Sequence, residues 1–196
     1  MLKEQLDGDM IFLIHDFLSE EECQQYIDQS ESIRYDEAPI TTGSGFVMRK
    51  DIRNNSRVIL DDESLAQMLF ERAKDLLPSA WLKWNRLVGF NERWRFYRYD
   101  PGQRFVAHTD GYFLRENNDQ SQFTFMIYLN DDFKGGCTTF EQRKDPLTGK
   151  KPLRVKPTTG TALVFYHHLI HEGEIVDAGR KYVLRTDVMY RQTEET

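Results

Sequence analysis

From residue 86 onward this chain is cut into short lengths. RWRFYRY, FTFMIYLN, CTTFE, TALVFYHH and YVLRTDVMY are runs of aromatic and β-branched residues, and DPGQ, NDDFKGG, DPLTGK and VDAG separate them. Branched and aromatic side chains fit a pleated, half-buried surface, while Gly, Pro, Asn and Asp supply the backbone angles of tight turns. Many short strands closed by such turns make an antiparallel sandwich or jelly roll.

The first 85 residues read differently. MIFLIHDFL is a short strand. Ser19 caps a helix over SEEECQQYIDQSE, with Glu22 completing a capping box and Cys23, Tyr26 and Ile27 as its apolar stripe. Asp61 or Asp62 caps a second helix, whose Leu65, Met68, Leu69, Ala73, Leu76 and Leu77 recur at helical spacing before Pro78 stops it. Between them TTGSGFVMRKDIRNNSR, residues 41–57, has the composition of a long surface loop or a hairpin with a mobile tip. The expected architecture is α+β but mainly β: one domain over 1–196, with mostly helical support and loop in 1–85 and a β core in 86–196.

Composition limits the function. With 30% charged residues and a formal net charge of −6, the chain is not a general binder of nucleic acid or anionic membranes. The stretch WLKWNRLVGFNERWRFYR interleaves Trp with basic residues, and reads as core aromatics with basic side chains lying over them rather than as a stacking surface for bases. The two cysteines, Cys23 and Cys137, make no disulfide framework. The N-terminal stretch has acids where a secretion signal carries basic residues, and its apolar run is broken by His15 and Asp16. A soluble, cytoplasmic protein with no membrane partner is expected.

The chemistry-bearing pattern is FVAHTDGYF. His108 and Asp110 stand at i and i+2, so on an extended backbone both point to one face. A third ligand must come from elsewhere, and His15, His167, His168 and His171 are the candidates. His15 lies in an apolar run and reads as a packed histidine. Two His and one carboxylate form a facial triad that leaves half of an octahedral metal open, which suits non-haem Fe(II) and O2 chemistry. Zinc is second on ligand type, although no HExxH helix is present.

These motifs, in this order, make residues 95–190 resemble the Fe(II)- and 2-oxoglutarate-dependent dioxygenases, in their prolyl 4-hydroxylase-like branch. YRYDPGQRFVAHTD, FTFMIYLN, GGCTTF and GTALVFYHHLIHEGEIVDAGRKYVLRTDV are similar to the family's successive strands and its His-X-Asp and distal His. The resemblance implies a double-stranded β-helix backed by helices, with His108, Asp110 and His171 as iron ligands. It implies Lys181, ten residues beyond His171, as the cation for the far carboxylate of 2-oxoglutarate. Tyr99 and Tyr128 match tyrosines of the cosubstrate pocket. Strand alternation puts Arg185 on the same face as Lys181 and Arg180 on the other, and the Arg185 fork suits a carboxylate, so both remain candidate anchors. Gly135 and Gly136 serve backbone geometry.

The implied cofactors are Fe(II), 2-oxoglutarate and O2, with ascorbate as a further candidate. The implied reaction hydroxylates an unactivated carbon and releases succinate and CO2. Family weight puts peptidyl proline first as substrate and a free amino acid or small metabolite second. Readings of other classes are a jelly-roll module that binds metal or ligand without turnover, and oxidative demethylation of nucleic acid. Arg53, Arg57 and Thr138 are candidate substrate residues, the two arginines on a lid formed by residues 41–57.

Overall fold

Side-chain alternation explains most of this architecture. The structure, a computed structural model, describes residues 1–43, 45–141 and 152–192. Strands β1 (Leu2–Asp7) and β2 (Ile11–His15) form a hairpin ahead of helix α1 (Glu20–Ser32). Short strands β3 (Asp36–Glu37), β4 (Ile40–Thr42) and β5 (Gly45–Val47) lead to β6 (Ser56–Asp61) and helix α2 (Glu63–Ala73). Then come β7 (Arg86–Phe90), β8 (Arg93–Tyr99), β9 (Phe105–His108), β10 (Gln120–Tyr128), β11 (Lys134–Gly135) and β12 (Thr138–Phe140). The last are β13 (Leu153–Val155), β14 (Ala162–Tyr166), β15 (His171–Gly173), β16 (Val176–Ala178) and β17 (Lys181–Arg191).

Nine strands make the major sheet, in the order β1-β2-β14-β10-β17-β8-β6-β3, with β7 pairing the far half of β17. A smaller sheet, β13-β12-β15-β9, is the second layer, and every named strand pair is antiparallel. This is the expected jelly roll, mainly β with helical support.

The first 85 residues are less helical than their sequence suggests. Two helices are present, but β2 joins β14 and β6 joins β8, so the N-terminal part builds one edge of the major sheet and lengthens the other. Val58, Ile59 and Leu60 run consecutively in β6, and β1 is mostly polar, so neither shows the alternation that marks a half-buried strand. The turn in DPLTGK lies outside the described residues.

Each face of the major sheet has its own core. Phe123, Phe125, Ile127, Leu184, Trp94 and Phe96 point to the helices, where they meet Cys23 of α1 and Leu65, Leu69 and Ala73 of α2. Full burial of such a side chain contributes roughly 1.5–3 kcal/mol. Ser19 and Glu22 form the capping box of α1, and Asp62 caps α2. Arg72 of α2 ties the helices together by a two-pronged bond to Glu22, at 2.8 and 3.0 Å. Met68, part of the expected α2 stripe, is instead exposed. Trp84 and Trp94 are buried, in keeping with a packed reading of the Trp-rich stretch. The opposite face carries Tyr97, Tyr99, Tyr128, Leu163, Phe165 and Val183, which pack toward the smaller sheet. No helix among the described residues is long and apolar enough to cross a membrane.

Candidate active site

Antiparallel pairing of β9 with β15 sets His171 directly opposite His108. Asp110 lies two residues beyond the end of β9, where its N–H donates to the His167 carbonyl at 3.0 Å. One ligand atom from each of His108, Asp110 and His171 lies within 4.8 Å of the others. His108 Nε2 is 3.7 Å from Asp110 Oδ1, and His171 Nε2 is 3.7 Å from Asp110 Oδ2.

The imidazoles are preset as ligands. His108 Nδ1 is 2.8 Å from the Val106 carbonyl and His171 Nδ1 is 3.0 Å from the Leu169 carbonyl. A carbonyl only accepts, so each Nδ1 carries the proton and each Nε2 offers a lone pair toward the cluster. Burial, then the neighbouring His171, lowers His108 to about 3. Burial likewise lowers His171. Burial alone would raise the Asp110 carboxyl, but Arg185, and after it the histidines, hold it far below the carboxylate range. Arg185 Nη1 sits 3.0 Å from Asp110 Oδ1, and the Thr124 hydroxyl donates to Oδ2 at 2.5 Å. Two neutral imidazoles and one ionised carboxylate are a donor set for a divalent cation. Phe105 stacks on His108 with centroids 3.5 Å apart, while Phe140 and Phe165 pack on His171.

An inner cavity of about 40 Å³ runs from this cluster to Lys181, lined also by Tyr99, Thr138 and Gly173. It adjoins a larger groove of about 510 Å³, and the two share Tyr97, Phe105, His108, Asp110 and Arg185. Lys181 is 3% exposed. Its ammonium donates to the Gly136 carbonyl at 2.6 Å and lies 5.3 and 5.5 Å from the Tyr99 and Tyr128 ring centres. Among the described residues it makes no ion pair with a carboxylate, and burial lowers it to about 8. An ammonium has three N–H donors, so a buried lysine facing a cavity with a single acceptor fits an anionic ligand that completes it.

Arg185 shares that face but is committed elsewhere. Besides Asp110 it approaches Thr124 Oγ1 at 3.3 Å and Asp187 at 3.5 Å. Arg180 points outward and pairs with Asp100 at 2.6 Å. Tyr128 does not line the inner cavity; its hydroxyl is 2.8 Å from Thr138 Oγ1, and Thr138 does line it. Thr138 lines the inner cavity and not the outer groove.

Arg53 and Arg57 both line the outer groove. The second half of the expected lid is part of the wall, because the Val106 N–H donates to the Ile52 carbonyl at 2.9 Å and Arg53 bridges to Phe105. His15 is not packed in the core; it is partly exposed, with Nε2 2.6 Å from Glu4. His168 is exposed and His167 is buried, and neither belongs to the ligand cluster. Sequence reasoning passed over Tyr97 and Phe105. Tyr97 was within its reach, since it alternates with Tyr99 along β8.

Residues 94–186 match the family model described as the 2OG-Fe(II) oxygenase superfamily. The chain is 29% identical over 168 residues to "Prolyl 4-hydroxylase 1" of Arabidopsis thaliana, covering 80% of this chain and 57% of that protein. It spans little more than half the length of the curated relatives that head the comparison, 57%, 57% and 55%. The viral collagen prolyl hydroxylase of Paramecium Bursaria Chlorella virus-1, in its 2OG complex, superposes with a TM-score of 0.61 at 22% identity, covering 95% of this chain and 99% of that one. A Pseudomonas putida prolyl-4-hydroxylase superposes with a TM-score of 0.64 at 18% identity, covering 96% of each. At these identities the structural likeness speaks for the fold.

Proposed function

We propose that this chain is a 2OG-Fe(II) oxygenase of the prolyl 4-hydroxylase-like branch that hydroxylates an unactivated carbon, with a peptidyl proline as the first candidate substrate. One observation carries the reading. A His-Asp-His cluster and a buried lysine that has no carboxylate partner among the described residues line one inner cavity.

His108, Asp110 and His171 would hold the iron, and Lys181 would hold the far carboxylate of 2-oxoglutarate. When bound, the metal and cosubstrate supply oxidising power from O2, with 2-oxoglutarate converted to succinate and CO2. The chain's own residues do the rest. The Val106 and Leu169 carbonyls fix both imidazoles with Nε2 inward. Thr124 and Arg185 fix the Asp110 carboxylate. Phe105, Phe165, Met126 and Val183 supply apolar wall to the cavity. Lys181 would orient the cosubstrate by holding the carboxylate remote from the metal. Tyr128 acts on that end through Thr138. The relatives named prolyl 4-hydroxylases support a prolyl substrate.

The test supplies Fe(II), 2-oxoglutarate and O2 with a panel of proline-containing peptides and free amino acids. The expected result is succinate matched by a product heavier by one oxygen atom. Iron-loaded protein that forms no succinate with or without any member of the panel would overturn the reading.

A further inference from the structure

The outer groove has a charge that the chain as a whole does not. Four guanidiniums line it, on Arg53, Arg57, Arg95 and Arg185, against the two carboxylates of Asp110 and Asp187. Both carboxylates are taken: Arg185 lies against Asp110 at 3.0 Å, and Arg95 against Asp187 at 3.2 Å. The whole protein has a formal charge of −6, so the groove is a local inversion of sign.

We propose that this groove recognises a carboxylate on the substrate, gripped by Arg53 beside the carbon to be hydroxylated, with the charge of Arg57 adding to the field of the groove. The inference rests on the oxygenase reading and names its substrate class: a carboxylate-bearing molecule, whether an acidic residue flanking the target in a peptide or the carboxylate of a free amino acid.

Arg53 is built for this. It is 5% exposed, and its guanidinium lies 4.6 Å from the Tyr97 ring centre and 4.5 Å from that of Phe105. Its Nε donates to Asn55 Oδ1 at 2.7 Å, while Nη2 is buried with no hydrogen-bond partner among the described residues. A buried cationic donor left unsatisfied is costly unless a ligand accepts from it. Phe105 touches both Arg53 and His108, so a carboxylate at Arg53 keeps the rest of the molecule next to the ligand cluster. Pairing of β6 with β8 sets Arg57 across from Tyr97, on the face that carries the site.

Tyr97 reports the field. Full burial would raise its phenol, yet Arg185, then Arg53 and Arg95, outweigh burial and bring it down to about 8. Arg57 is lowered first by burial, with the charges of Arg53, Arg95 and Arg93 adding to it against Tyr97. A planar fork suits a carboxylate in two-pronged geometry. The groove volume of about 510 Å³ falls in the ordinary range of ligand sites.

The test uses four probes: a proline peptide with glutamate on both sides of the target, its glutamine isostere, free proline, and prolinamide. Binding is measured without O2 on the iron- and 2-oxoglutarate-loaded protein, and KM in its presence. A preference of roughly 10- to 100-fold for the carboxylate member of one pair is expected, from charge-assisted hydrogen bonds. It should shrink with salt and invert in Arg57→Glu, with circular dichroism confirming the fold. The pair that shows the preference identifies the source. Absence of a charge-dependent preference in both pairs overturns the inference. Succinate formation without any probe judges the oxygenase reading separately, so one can fail while the other stands.

Discussion

Replacing Lys181 by Met should make the ligand-free protein more stable and the cosubstrate complex far weaker. Burial lowers this amine from its ordinary 10.5 to about 8. At about 1.4 kcal/mol per pH unit, holding it charged in place costs about 3 kcal/mol at neutral pH. Met keeps the length and removes that cost, but it leaves the Gly136 carbonyl without its 2.6 Å donor, a loss of about 1–2 kcal/mol. The net gain is about 1–2 kcal/mol, or about 2–8 °C in Tm for a chain of this size. The gain also has a pH signature. Below about 8 folded and unfolded chains both carry the charged amine and the cost is full; between about 8 and 10.5 the folded chain gives up its proton first and the cost fades. Stability of the native sequence should therefore rise through that window relative to Lys181→Met. With 2-oxoglutarate present the order reverses. A buried carboxylate without its cation typically costs ~3–5 kcal/mol, or about 10²- to 10³-fold in affinity. Thermal melts of the ligand-free proteins and titration of 2-oxoglutarate into the metal-loaded ones measure both. A Lys181→Met protein that melts lower and binds 2-oxoglutarate normally would show that the lysine is structural, and the anchor would pass to Arg185.

Iron content should fall to near zero in His108→Ala, Asp110→Ala and His171→Ala, measured by metal analysis after reconstitution. Retention of full occupancy by His171→Ala, with buried His167 intact, would mean another histidine completes the site. Because both imidazoles are held neutral, metal-free protein should lose stability as pH falls below about 6.5, ahead of the further loss at carboxylate pH, and His108→Ala should flatten this slope in urea titrations. Gly160 has φ of +76°, and a Cβ there would lie 2.1 Å from the Leu18 carbonyl oxygen. Gly160→Ala should therefore cost about 3 kcal/mol, seen as a lower urea midpoint at unchanged slope.

Much of the β half was legible because its strands are half-buried and alternate. Alternation alone put Lys181 and Arg185 on one face of β17 and Arg180 on the other, and the strand is built that way. It could not choose between Lys181 and Arg185, since what separates them is a partner from elsewhere: Arg185 meets the Asp110 carboxylate, and Lys181 donates to the Gly136 carbonyl. The N-terminal strands were harder to read. β6 is a run of adjacent apolar residues, and β1 is a mostly polar edge strand whose place is set by pairing with β2. The stack of Arg53 between Tyr97 and Phe105 depends on a loop closing onto β9, and no local pattern announces that.

Asp110 is where the two layers meet. Its flanking histidines belong to the smaller sheet, and its carboxylate is held from the major sheet by Thr124 and Arg185. A cation shared by the three ligands would act as a reversible cross-link between layers, closing a loop of about sixty residues from His108 to His171. Its strength would be set by the free metal concentration, because stabilisation grows as the logarithm of that concentration over the dissociation constant. Chelation would then loosen the seam between the layers as well as empty the centre, and supply of metal would regulate the lifetime of the protein along with its turnover.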